Sequence, residues 1–280
     1  MRSLRDKVVV ITGAGSGIGR ALAEHAASAG ATLALSDWDE VGLHETADRV
    51  RAHTGRAPRA DRLDVRDRGA VHAYADSVGV GLGRVDALVN NAGVALHGDL
   101  DEVSYDDFEW VMDVDFWGVV HGSKAFLPHL AASGDGHLVN MSSLFGLMSV
   151  AGQTAYNSAK FAVRGFTESL RQEMLLTGTP VRVTCVHPGG VRTAIVRNAR
   201  VTASHDKREV VRRFDAELAR TTPERAADVI WSGVLAGRPR VLVGTDARLL
   251  DAGVRLLGSR YQRLLVMAAS RRRAASRSTR

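Results

Sequence analysis

Residues 7–30 read KVVVITGAGSGIGRALAEHAASAG, and three signals in that order decide the fold. The run over 7–12 is short, β-branched and almost uninterrupted in its apolarity, as a strand buried on both faces must be. Gly13, Gly15, Gly17 and Gly19 follow at every second position, with Ser16 and Ile18 among them, and Ile18, Leu22 and Ala26 then recur at helical spacing. Strand, glycine turn and helix together let an anion approach the N–H groups of a helix N-terminus, so the unit predicts dinucleotide binding. Without that context a glycine string predicts only a tight turn.

Working outward, the apolar run over 32–36 ends on Asp37, a carboxylate placed to accept hydrogen bonds from a ribose. The same charge repels the 2′-phosphate of NADP, and Ser16 offers that phosphate no cation. NAD is therefore the expected cofactor and NADP the less favoured one. Arg20 and Arg66 are the cations nearest in sequence to such a phosphate, and Trp38 belongs beside the adenine pocket.

Downstream, helical stretches over 41–53, 67–82, 104–130 and 155–176 alternate with strand-like runs over 59–63, 85–89, 137–141 and 181–186. Ser104 reads as a helix cap, and Pro223 opens a last helix before a strand over 240–243. This alternation predicts an α/β fold of Rossmann type, a three-layer sandwich around a central, mostly seven-stranded parallel sheet. The third strand carries Arg59, Asp61 and Arg62 and so belongs at an edge, as the order 3-2-1-4-5-6 requires.

With 280 residues and 45% hydrophobic content, the chain can bury a full core. We expect a single catalytic domain over 1–245, including a substrate lid at about 190–221, followed by a basic C-terminal helix and tail over 246–280. The net charge of +6 is not spread evenly: nine of the 37 basic and one of the 31 acidic residues lie in 248–280, leaving 28 against 30 in the body. A near-neutral body argues against nucleic acid as a partner.

The tail reads as an amphipathic helix with Leu249, Leu250, Leu256, Leu257, Tyr261, Leu264 and Leu265 among Arg255, Arg260 and Arg263, ending in the arginines at 271–273. It is expected to dock on the body or on a second subunit, with weak contact to an anionic membrane surface as the alternative. The lone Cys185 sits among valines and reads as a core residue of a cytoplasmic protein. No stretch approaches the roughly 20 apolar residues of a membrane span, and no clustered His, Cys or carboxylate spacing suggests a metal.

Tyr156 and Lys160 are four apart, on one face of the helix over 155–176. An ammonium beside a phenol favours the phenolate, and Ser143 can bring a hydroxyl to the same place. Taken alone, such a pair is more commonly two surface residues.

The spacing of TGAGSGIG over 12–19, NNAG over 90–93, Ser143 with Tyr156 and Lys160, and HPGGVRT over 187–193 is similar to that of the classical short-chain dehydrogenase/reductase family, in order from about residue 7 to 243. The resemblance implies an enzyme acting on CH–OH groups with NAD(P). It makes Tyr156 the general acid/base, Lys160 the residue that bonds the nicotinamide ribose and lowers the tyrosine pKa, and Ser143 the group that orients the substrate oxygen. It lays Asn90, Asn91, Ala92 and Gly93 along the cofactor, sets Asp64 and Val65 at the adenine, and closes Pro188, Gly189, Val191 and Thr193 on the nicotinamide.

The chain departs from the family at Asp115, where many members have an asparagine that helps hold a water relay to the lysine. Aspartate can still accept those hydrogen bonds, but its charge bears on Lys160 and Tyr156. A purely local structural role is the alternative.

By the same resemblance the substrate pocket includes Val94, Leu96, Leu144, Phe145, Met148 and Ile195, with Val210, Val211 and Phe214 of the lid above it. Such walls suit a small hydrophobic secondary alcohol or ketone. His97 and His187 read as incidental polar residues. The resemblance further implies a homodimer or homotetramer built on the helices over 104–130 and 155–176. An epimerase or dehydratase with tightly held NAD, and a non-catalytic NAD-sensing scaffold, are the competing functions.

Overall fold

In the computed structural model of the protein, which describes residues 1–278, the opening segment folds as β1 (Val8–Thr12) and α1 (Gly17–Ser28). All five residues of β1 are buried, which is why no polar side chain interrupts the run before Thr12. There follow β2 (Thr32–Asp37), α2 (Glu40–Thr54), β3 (Arg59–Arg62), α3 (Arg68–Leu82) and β4 (Ala87–Asn90). A short β5 (Leu96–His97) leads to α4 (Tyr105–Met112), a π-helical turn at Asp113–Trp117, and α5 (Gly118–Ala132).

Then come β6 (Gly136–Met141), a 3-10 turn at Leu144–Gly146, α6 (Thr154–Thr177) and β7 (Val181–Pro188). β8 (Arg200–Val201), α7 (Lys207–Arg213) with a second π-turn at Phe214–Leu218, and α8 (Pro223–Leu235) make up the lid and its return. β9 (Arg240–Val243), α9 (Thr245–Leu257) and α10 (Arg260–Ser278) end the chain.

Seven strands pair in parallel in the order β3-β2-β1-β4-β6-β7-β9, and β5 pairs with β8 in a separate two-stranded ribbon. The charged β3 is at the edge, where its side chains block further pairing. On one face of the sheet Leu22 and Ala26 of α1 meet Ile230 and Trp231 of α8, and the buried Trp231 indole donates to the Leu22 carbonyl at 3.1 Å. On the other face Tyr74, Phe126, Leu130, Leu170 and Met174 pack α3, α5 and α6 against Leu88 and Leu138. Truncating Trp231 to alanine is expected to cost about 3–5 kcal/mol.

Two departures from the sequence reading have clear causes. Asp67 is the cap of α3, accepting from the Ala70 N–H, so the helix proper starts one residue later than its apolar pattern. The stretch 104–130, expected as one helix, carries a π-turn in its middle, although Ser104 caps it as expected by accepting from the Asp107 N–H at 3.1 Å. Just after that turn Gly118 has room for no side chain, since a Cβ there would lie 2.7 Å from the Val65 side chain.

A buried polar ladder runs across the middle of the fold. Asn90 donates to Asn140 at 2.8 Å, and Asn140 donates to Thr167 on α6 at 3.1 Å. It fixes the height of α6 over the sheet, and α6 carries Tyr156 and Lys160.

The tail forms two helices broken at Gly258, whose φ of +54° no β-branched residue would accept. Ala247, Val254, Tyr261 and Leu265 pack against Leu144 and Met148, so one face of the tail docks on the body. Leu249, Leu256 and Leu264 remain exposed on the other. The side chains at 271–273 lie outside the described residues. Among the described residues no helix is long and apolar enough to cross a membrane.

Candidate active site

The glycine loop is pressed onto the exit of β4. Gly13 has φ +64°, and a Cβ there would lie 2.6 Å from the Ala92 Cα; a Cβ on Gly19 would lie 2.0 Å from the Gly13 carbonyl oxygen. Thr12 accepts from the Asn91 and Ala92 N–H groups at 3.0 and 3.1 Å. The Asn91 amide donates back to the Thr12 and Gly13 carbonyls at 3.0 and 2.9 Å.

Asn91 therefore fastens the loop, and Thr12 is a positioning residue whose only sequence signal is its place at the head of the glycine motif. Asn90, expected along the cofactor, instead turns into the core ladder because it lies within β4, where alternate side chains point away from the loop. Ser16 stands at the N-cap of α1 without a side-chain cap, and Ile18 packs back against the core.

Asp37, at the end of β2, accepts from Gly15 N–H at 2.7 Å and Asp39 N–H at 2.9 Å. Burial pushes its carboxyl up against the pull of those donors. Beside it the exposed Trp38 ring lies under the Arg62 guanidinium at 4.3 Å. Arg66 is held by Asp64 at 2.6 Å, and its guanidinium keeps the Asp64 carboxyl below the usual range. Arg20 is engaged by Thr46 at 2.9 Å, the Gly15 carbonyl at 2.5 Å and Glu45 at 3.0 Å. Val65 is buried, and its carbonyl lies 3.2 Å from His121 Nδ1. A cradle that glycine alone can line, a free helix N-terminus and Asp37 fit a nicotinamide dinucleotide.

α6 presents Tyr156 and Lys160 from one face. The Lys160 Nζ lies 5.5 Å from the Tyr156 ring centroid, 3.0 Å from Asp115 Oδ2 and 3.3 Å from the Met141 carbonyl. Asp115 projects from the π-turn, and its other oxygen accepts from Val94 N–H at 2.7 Å. A Cβ on Gly93 would lie 3.4 Å from both Asp115 Oδ1 and Lys160 Nζ, so β4's exit closes over this pair.

Burial pushes the Asp115 carboxyl up against the pull of Lys160. For Lys160, burial acts downward, but Asp115 and Tyr156 outweigh it and hold the ammonium above its ordinary range. Burial is also the largest influence on Tyr156 and raises its phenol; Lys160 and Ser143 pull down, Asp115 pushes up, and the net direction is up. The lysine acts in the expected sense, and desolvation outweighs it.

Ser143, after β6, accepts from Phe145 N–H at 3.1 Å, and its carbonyl lies 2.9 Å from His187 Nδ1. A carbonyl only accepts, so His187 carries its proton on Nδ1; burial pushes this imidazole down to about 4 and keeps it neutral. His187, which reads in the sequence as incidental, thus anchors the Ser143 main chain. Ser142 donates to the Lys160 carbonyl at 2.8 Å, joining the same loop to α6. The Phe145 ring stands edge-on to Tyr156, with centroids 6.3 Å apart.

The segment after β7 approaches the glycine loop from above. Thr193 comes within 3.0 Å of where a Gly17 Cβ would be. Pro188 ends β7, and a Cβ on Gly189 would strike Asp246 Oδ2 at 2.2 Å. Asp246, in the first turn of α9, accepts from Gly190 N–H at 2.8 Å and is a second positioning residue without a sequence signal. Val191 is buried and bridges to Thr221.

Of the expected pocket residues, Val94, Phe145 and Ile195 are half-buried, whereas Leu96, Leu144 and Met148 are buried in side-chain clusters. The β5–β8 ribbon and a bond from Gly98 N–H to the Gly152 carbonyl at 2.9 Å join the lid, the loop after β4 and the approach to α6. Among the described residues of the lid helix and its π-turn, Val210, Val211 and Phe214 are half-buried. Cys185 is buried and unbonded to another cysteine, with its thiol pushed up to about 12 by burial, so it is inert.

A parallel sheet with this strand order, a glycine loop and a Ser-Tyr-Lys group at its carboxyl edge define a nucleotide-dependent oxidoreductase. A family model described as short chain dehydrogenase matches residues 7–204. The chain is 55% identical over 265 residues to SadH of Mycobacterium tuberculosis, named as an oxidoreductase, covering 95% of this chain and 96% of that one. It is 34% identical over 248 residues to 1-deoxy-11-beta-hydroxypentalenate dehydrogenase of Streptomyces avermitilis, covering 88% and 87%.

Among solved structures, a short-chain dehydrogenase/reductase from Burkholderia phymatum in complex with NAD superposes with a TM-score of 0.85 at 32% identity, covering 94% of this chain and 97% of that one. An alcohol dehydrogenase from Thermococcus sibiricus complexed with 5-hydroxy-NADP superposes at 0.72 and 26% identity, covering 85% and 96%. The protein belongs to the short-chain dehydrogenase/reductase family and is an oxidoreductase acting on CH–OH groups.

Proposed function

We propose that the protein interconverts a hydrophobic secondary alcohol and its ketone, with NAD preferred over NADP and Tyr156 as the general acid/base. The observation that carries this reading is the Lys160 ammonium, ion-paired to Asp115 at 3.0 Å and one helical turn from Tyr156. When bound, the nicotinamide accepts or supplies the hydride. Tyr156 donates its phenolic proton to the carbonyl oxygen in reduction and takes the alcohol proton in oxidation, while Ser143 donates to the same oxygen. Lys160 holds positive charge beside the phenol, with Gly93 closing over it, and would bond the ribose of a bound cofactor. A phenol raised by burial is protonated at neutral pH, which suits ketone reduction there and makes alcohol oxidation rise with pH.

The NAD preference is supported by Asp37 beside Gly15 and by the engagement of both Arg20 and Arg66 in other contacts. Gly13, Gly15, Ser16, Gly17, Ile18, Gly19, Trp38, Asp64, Val65, Asn91, Ala92, Gly93, Pro188, Gly189, Val191 and Thr193 complete the proposed cofactor site. The substrate class is supported by the half-buried apolar side chains of Val94, Phe145 and Ile195, and by the hydroxypentalenate in the Streptomyces relative's name.

We take residues 1–245 as the catalytic domain and the protein as cytoplasmic. A homodimer or homotetramer through α4–α5 and α6 is supported by the exposed Trp117 and Phe161 on those elements. The exposed leucines and arginines of α9 and α10 support weak contact with an anionic membrane surface. Oxidation of NADH by a panel of hydrophobic ketones, followed by absorbance, tests the reading.

A further inference from the structure

The substrate loop between β6 and α6 is held from outside by the tail. Ser149 N–H donates to the Tyr261 hydroxyl at 3.0 Å, across 112 residues of sequence. Around that bond Tyr261 and Leu265 of α10 and Ala247 and Val254 of α9 form one apolar cluster with Leu144, Phe145, Met148 and Val150 of the loop. Phe145 in turn stands edge-on to Tyr156 at 6.3 Å. The contacts thus run without a break from α10 to the proposed acid/base.

We propose that Tyr261 is a positioning residue for substrate recognition: it clamps the loop over 144–150, and through it α10 forms the outer support of the apolar wall. The loop needs such a clamp because its own secondary structure is a single 3-10 turn, Leu144–Gly146, and the Ser149 N–H has no partner within that turn. Phenol oxygen and aromatic ring act together here. The ring packs with Leu265 and the loop in one cluster, and the oxygen accepts the Ser149 main-chain donor, while from the α6 side Asn157 Nδ2 donates to the Val150 carbonyl at 2.9 Å. A loop set in this way discriminates by size. A bulky ketone presses on Phe145 and needs its position held, whereas a small one fits without the support. The inference rests on the hydride-transfer reading for its catalytic consequence, but not for the clamp itself.

Tyr261→Phe keeps the ring and removes the acceptor; Tyr261→Ala removes both. Amide exchange at Ser149, in the full-length protein without added ligand, is expected to quicken about tenfold in Tyr261→Phe, with the melting temperature as a check on folding. With NADH, the KM for trans-decalone is expected to rise about fivefold in Tyr261→Phe and further in Tyr261→Ala, with a smaller rise for cyclohexanone and a smaller change in kcat than in KM. Exchange at Ser149 identical in folded wild type and Tyr261→Phe overturns the clamp, as does a KM for trans-decalone that neither substitution moves. If the wild type reduces neither ketone, the hydride-transfer reading fails instead, and Ser149 exchange alone decides whether Tyr261 holds the loop.

Discussion

Lys160 Nζ lies 3.0 Å from Asp115 Oδ2, with both side chains buried and the second Asp115 oxygen taken by Val94 N–H. The pair fixes the lysine's height under Tyr156 and adds a negative charge that raises the phenol pKa. Asp115→Asn keeps one acceptor, the amide oxygen, for either the Val94 N–H or the Lys160 ammonium, and removes that charge. Most activity is expected to survive, and the rising limb of the pH–rate profile for alcohol oxidation moves to lower pH, since the phenol loses a neighbour that held it protonated. An unmoved profile sinks the electrostatic role of Asp115 and leaves it a local structural residue.

Asp37 gives a second test. Asp37→Asn keeps one acceptor, its amide oxygen, for the Gly15 N–H and gives up the Asp39 N–H acceptor together with the charge. The dissociation constant for NADH is expected to rise about tenfold, with a smaller change for NADPH, narrowing the preference between them. Tryptophan fluorescence titration reads both constants. Equal losses for the two cofactors contradict a selective role.

Acid sensitivity follows from His187. Its folded pKa of about 4 lies below the ordinary histidine value near 6.5, so between those values the unfolded chain binds more protons. The stability contribution is complete above about pH 6.5 and is lost progressively as pH falls toward about 4. Urea unfolding at pH 7.5 and pH 5 is expected to show a loss of about 2 kcal/mol from this group, order of magnitude. His137, pushed to about 3 by burial, adds to the loss. His187→Gln should reduce the difference; an equal difference in wild type and variant excludes His187 as a source.

For the tail, full-length protein is expected to pellet with vesicles containing anionic lipid more than with zwitterionic ones, and a chain ending at Gly258 less than either. Equal pelleting in every case removes the membrane contact.

Much of this was legible because backbone physics leaves marks in sequence. The glycine loop must be glycine where Ala92 and Gly13 come within van der Waals contact, and the charged β3 must be an edge. Tyr156 and Lys160 showed because helical spacing carries them on one face. What stayed hidden depends on contacts between distant segments. Thr12 holding the β4 exit, His187 holding Ser143, Asp246 holding Gly190 and Tyr261 holding Ser149 each join segments that no local pattern connects. Asn90 misled for a related reason: it stands beside Asn91 in sequence but on the opposite side of the strand. The π-turn at Asp113–Trp117 leaves no mark in an otherwise helical pattern.

The central claim is that Tyr156 moves the proton while Lys160 and the glycine loop serve the cofactor. It is tested most directly by following NADH oxidation with trans-decalone for the wild type and Tyr156→Phe, alongside NADH binding by fluorescence. The account predicts turnover in the wild type, a loss of roughly 10²–10⁴-fold in kcat for Tyr156→Phe, and NADH binding within a few-fold of wild type in both. Turnover by Tyr156→Phe close to that of the wild type would contradict it.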